Sequence, residues 1–148
     1  MSTTYAIEGQ TAAGTTLTIL QLVSPGTTRR AWINYILIGS DATPDDVATE
    51  FNVIRGTVSG TGTAVTPRPL DPGETAAIFT AERGTFSGQT KTPSSAMLNI
   101  ALNQRSTFQW YANRTGIVVP ATSDSWVGIE SIASGGTPNI NATMHFDE

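Results

Sequence analysis

Apolar residues along this chain come in short runs that alternate with polar ones and end at Gly, Pro, Asp or Ser, the spacing of an all-β sandwich or barrel. The pattern predicts strands at 4–8, 15–23, 30–38, 49–55, 96–102, 107–111, 117–119, 125–133 and 139–146. In the last of these Ile140, Ala142, Met144 and Phe146 share one face. In 15–23, Leu17, Ile19 and Gln21 face one way and Thr18, Leu20 and Leu22 the other, and Ser24-Pro25-Gly26 supplies the closing turn. The run 30–38 is apolar on both faces except at Asn34, as suits a central strand covered on each side. Residues 56–62 read as a mobile turn. Residues 65–69 hold Pro67 and Pro69 and read as an edge or irregular piece, because proline cannot donate to a ladder.

One segment carries a helical signature. Asp71-Pro72-Gly73-Glu74 places an Asp at the N-cap, a Pro at the first helical position and a Glu at the third, predicting about two turns through Glu82 with Ala76, Ile78 and Phe79 inward. Residues 84–94 read as a polar connection rich in turns. About eight antiparallel strands, one short helix in a crossover and several long connections fit a jelly-roll β-sandwich better than a meander. The expectation is a single domain over residues 1–148, with 1–6 as an N-terminal arm.

Composition narrows what such a fold does. Charged residues make up 14% of the 148, against about 25% in an average globular chain. The 24 threonines favour a pleated sheet over a helix. With no cysteine there are no disulfides, thiolate metal sites or cysteine nucleophiles, and one histidine allows no histidine relay within the chain. The net charge of −4 gives no reason to expect a nucleic-acid partner. The first residues lack a signal-peptide pattern, and no run approaches the roughly 20 apolar residues of a spanning helix, so the sequence reads as a soluble intracellular chain with no membrane partner.

Candidate chemistry is sparse. Gly84-Thr85-Phe86-Ser87-Gly88 has its serine one place late for a nucleophile elbow, and Gly60-Thr61-Gly62 lacks the third glycine of a dinucleotide site. Asp41, Asp45, Asp46 and Glu50 offer oxygens to a calcium ion, yet read better as a solvated surface turn. Glu130 lies inside a predicted strand with no second acid at a spacing that would make a glycosidase pair. His145 falls on the face opposite Met144 and Phe146 and reads as a lone histidine. Phe108 and Trp110 share a strand face and read as core, leaving Tyr111 the more exposed of that strand. The chain is expected to be no enzyme and to carry no cofactor or metal.

Three blocks, RAWINYILIGSDATPD at 30–45, AVTPRPLDP at 64–72 and LNQRSTFQW at 102–110, with a final strand ending in HFDE at 145–148, resemble a family of tailed-bacteriophage head decoration or cement proteins. The resemblance implies a jelly-roll subunit on the capsid exterior, commonly a homotrimer, that is made in the host cytoplasm. Its partners would be the major capsid protein and copies of itself, with capsomer contacts stabilised through protein interfaces. Candidate interface residues are Tyr5 as an anchor in the arm, Arg29 and Arg30 at the entrance to the 30–38 strand, Phe79 and Phe86 in the long connection, and Tyr111. The alternative is a carbohydrate- or receptor-binding jelly-roll module of a phage tail or baseplate.

Overall fold

The computed structural model describes residues 2–12, 17–26, 28–134 and 138–148. Among them are thirteen strands and no helix: β1 (Thr4–Ala12), β2 (Leu17–Val23), β3 (Ala31–Ala42), β4 (Ala48–Val58), β5 (Thr61–Val65), β6 (Arg68–Pro69), β7 (Thr80–Ser87), β8 (Thr90–Lys91), β9 (Leu98–Asn103), β10 (Phe108–Tyr111), β11 (Ile117–Val119), β12 (Trp126–Ser134) and β13 (Asn139–Asp147). Two antiparallel sheets pack face to face. The first runs β10-β3-β13-β1-β6, with β11 following β10 along the edge of β3; the second runs β5-β7-β2-β12-β4-β8, with β9 beside β8 on the edge of β4. The long strands β1 to β4 alternate between the two sheets.

Between the sheets lies one core. Tyr5, Ile7, Ile33, Ile36, Ile38, Met144 and Phe146 face inward from the first sheet, against Leu20, Leu22, Phe51, Val53, Val127 and Ile129 from the second. Each such side chain contributes about 1.5–3 kcal/mol when fully buried. Register explains the sorting, because directly opposed residues share a face. Tyr5, Phe146 and Ile33 form one inward row, and Ile7, Met144, Ile36 and Trp110 form the next. The Tyr5 ring stacks on Phe146 with centroids 5.4 Å apart.

The helix expected from Asp71 is absent. Asp71 does cap a turn: its Oδ1 accepts the Gly73 N–H at 3.0 Å and its carbonyl accepts the Glu74 N–H at 3.1 Å. One turn is a costly helix nucleus, and here distant partners take the groups that would extend it. The Glu148 carboxylate accepts the N–H of Ile78 at 2.7 Å and of Phe79 at 3.1 Å, and the Thr75 carbonyl accepts the Tyr5 hydroxyl at 3.1 Å. Phe79 is buried, whereas Ala76 and Ile78 are exposed. Residues 80–82 belong to β7.

Thirteen strands stand where about eight were expected because polar, glycine-containing segments also pair. Residues 56–62 are no mobile turn, since β4 continues through Gly56 to Val58 and β5 begins at Thr61; Gly60, with φ of 70°, makes the reversal between them. The 84–94 connection contains the end of β7 and all of β8. Residues 68–69 do form an edge piece, the two-residue β6. Of the segment expected as an arm, residues 4–6 are built into β1, which pairs with β13 from Thr4 to Ala12. Thr15 and Thr16, where the second strand was expected to start, lie outside the described residues.

Candidate functional site

The outer face of the first sheet is organised in rows across its strands. Register aligns Val118, Trp32, Asp147 and Thr4 in one row, then Tyr111, Tyr35, His145, Ala6 and Arg68, then Gln109, Leu37, Thr143 and Glu8. None of these side chains is buried. Strand β3 was expected to be covered on both sides, and here the structure differs: Ile33, Ile36 and Ile38 are enclosed while Trp32, Tyr35 and Leu37 stand half-exposed.

At the centre of this face three rings touch in sequence. Tyr111 lies 4.8 Å from Tyr35, tilted by 44°, and Tyr35 lies 4.8 Å from the His145 ring, tilted by 45°. Tyr111 is 66% exposed. The ladder between β3 and β13 shifts register between His145 and Phe146, leaving Asn34 as the extra residue on β3. A bulge of this kind re-aims a side chain, and Asn34 joins Tyr35, Tyr111 and His145 around an open depression of about 450 Å³. The Tyr35 hydroxyl is pushed above its ordinary value of 10.0, first by burial and then by the charge and hydrogen bonding of Tyr111. Burial holds His145 below its usual 6.5, so its ring is neutral at pH 7.

The outer face of the second sheet is closed by the chain itself. Trp126 points outward with Val23 and Ile54, yet is fully buried, and its Nε1 donates to the Val58 carbonyl at 2.8 Å. Beside it Gln21 donates through Nε2 to the Ser59 carbonyl at 3.0 Å and to Glu82 Oε2 at 2.8 Å, and accepts from Gln89 Nε2 at 2.6 Å. The Thr18 hydroxyl donates to Gln89 Oε1 at 2.8 Å. Lys91, the chain's only lysine, pairs with the buried Glu130, and Ser59 donates to Asp124. Gly56 is required by this closure: a Cβ there would sit 2.2 Å from the Trp126 ring.

The residues expected at interfaces are scattered by the fold. Tyr5 is 2% exposed and Phe79 is 1% exposed, so both belong to the core of their own chain. Phe86 is half-buried against Gly62 at β5, on the second sheet. Arg29 and Arg30 are exposed before β3 and line a surface depression with Trp32 and Glu148. Tyr111 is the one large exposed aromatic of the set. Tyr35 carried no signal of its own in the sequence; Asn34, the polar break in an apolar run, did.

Three of the four acids at 41–50 are engaged singly. Gln10 donates to Asp41, Asn103 to Asp46 at 2.7 Å and Asn99 to Glu50 at 2.7 Å. Among the described residues no three His, Asp or Glu side chains are grouped to hold a metal ion, and no helix there is long and apolar enough to cross a membrane. Compared with known proteins, the chain matches no family model and no curated protein.

Proposed function

We propose that this chain is a jelly-roll decoration subunit that binds the outer surface of a tailed-phage head and stabilises capsomer contacts, with the open face of its first sheet as the docking surface. The observation that carries the reading is that face: rows containing Trp32, Tyr35, Leu37 and Tyr111 are left half-exposed, with Glu8, Arg68 and Asp147 in the rows and Arg29, Arg30, Arg83 and Glu148 beside them. Half-exposed aromatic and aliphatic side chains gain from burial when such a surface is covered, inside a polar rim. Four strands spaced about 4.8 Å, each about eight residues long, present roughly 500 Å² of flat area. A standard interface takes about 800 Å² per partner, so this face supplies much of one contact, and repetition over a lattice multiplies it.

Support for the jelly roll comes from nested pairing. Strand β1 pairs with β13, β2 with β12, β3 with β10 and β11, and β4 with β9, so the first four strands meet the last five in reverse order. That is the pattern of a long hairpin wrapped into two sheets. The trimer is part of the same proposal, with a ring-closing heterologous contact between copies. Sedimentation of the purified protein alone and with empty heads of its phage tests both. A trimer that pellets saturably with the heads is expected; a monomer that stays in the supernatant overturns the reading.

A further inference from the structure

We infer that the depression lined by Asn34, Tyr35, Tyr111 and His145 binds a neutral saccharide residue, which stacks on the exposed ring of Tyr111. This goes beyond the decoration reading and stands without it; a subunit docked through this face covers Tyr111, so the saccharide is bound by the free subunit. The volume, about 450 Å³, falls in the roughly 300–1,000 Å³ range of small-ligand sites. Its wall is a supported aromatic surface: Tyr111 leans on Tyr35 and Tyr35 on His145, so little side-chain freedom remains to be lost when a ligand lies on the outermost ring. A pyranose offers a face of C–H groups to such a ring and a rim of hydroxyls to its surroundings.

The polar groups suit that rim. Asn34, the extra residue of the bulge, lines the depression, and its side-chain amide makes no hydrogen bond among the described residues, leaving two donors and an acceptor for hydroxyl groups. The Tyr35 hydroxyl is held above its ordinary value, and burial keeps His145 neutral as well. No lining residue therefore carries a formal charge. An anionic or cationic ligand finds no counter-charge in the lining, whereas an uncharged polyhydroxylated ring finds both a stacking face and hydrogen-bond partners.

The test is an NMR titration of the whole protein with the methyl glycosides of glucose, galactose, mannose and N-acetylglucosamine, following the His145 ring signals. Saturable shifts with at least one glycoside are expected. Tyr111→Ala, a change at an exposed position, should weaken binding about tenfold while leaving the melting temperature unchanged, and Tyr111→Phe should retain most of the affinity. Asn34→Ala should cost several-fold. Absence of shifts with all four glycosides overturns the inference, as does a Tyr111→Ala protein that binds as well as the parent. If Tyr111→Ala abolishes head binding while no glycoside binds the parent, the surface serves a protein partner alone and the inference fails. Glycoside binding by a protein that ignores heads overturns the decoration reading and leaves this one standing.

Discussion

On the outer face of the second sheet Gln21 and Glu130 are polar yet almost fully buried, while on the outer face of the first Trp32, Tyr35 and Leu37 are largely apolar yet half-exposed. Residues 58–59 and 89–91 account for the first case. They close over Trp126 and satisfy the polar groups beneath them one by one, through Val58, Ser59, Gln89 and Lys91. A buried polar group is tolerated when it is hydrogen-bonded, so that face is finished within the chain. The other face stays half-exposed at Trp32, Tyr35 and Leu37. Side-chain chemistry alone would assign the two faces the other way round; what decides is which loops return over which sheet.

The difference can be attacked from either side, and the closed face should give the largest effects. Trp126→Ala empties the space under residues 58 and 90 and should cost about 3–5 kcal/mol in chemical denaturation; a loss under 1 kcal/mol would mean the cover is not packed on it. Gly56→Ala drives a methyl group into the same indole and should cost about 1–3 kcal/mol. Lys91→Met leaves Glu130 buried without its cation; because Lys91 itself is 28% exposed, a loss of about 1–3 kcal/mol is expected rather than the full penalty of a sealed ion pair.

The open face should respond to pH and hardly at all to truncation. His145 binds its proton less readily when folded than when unfolded, so its contribution to stability is complete above pH 6.5 and is lost as the pH falls through the lower folded-state value. His145→Gln should remove that part of the acid-side decline in the melting temperature, and an identical decline in both proteins would contradict the assignment. Tyr111→Ala should change stability by no more than about 0.5 kcal/mol, since the ring it removes already stands in solvent.

Several strands were legible in the sequence because an alternating pattern bounded by turn residues determines them locally. Residues 139–146 are the clearest, and Ile140, Ala142, Met144 and Phe146 all face the core. Signals with two meanings misled. Asp71 and Pro72 start a turn as readily as a helix, and the contacts that settle the outcome come from Glu148 and Tyr5, about 70 residues away in sequence. Gly56 reads as a turn residue but serves a close approach to Trp126. Strand β7 shows no apolar period, since Ala81 is the one buried residue of Thr80–Ser87. The candidate site was legible in fragments: Asn34 as a polar interruption, Tyr111 as an exposed aromatic, His145 on the outward face. Their convergence depends on the register of three strands and one bulge, which no local pattern encodes.

Hydroxyl-radical footprinting of the protein, free and bound to empty heads, distinguishes the two faces most directly. Free protein should be labelled at Trp32, Tyr35 and Tyr111 and spared at Trp126. On head binding, protection should appear at Trp32, Tyr35 and Tyr111 with Trp126 unchanged. Labelling of Trp126 in the free protein, or protection confined to the loops over the second sheet, would contradict the assignment of one face to the chain itself and the other to its partner.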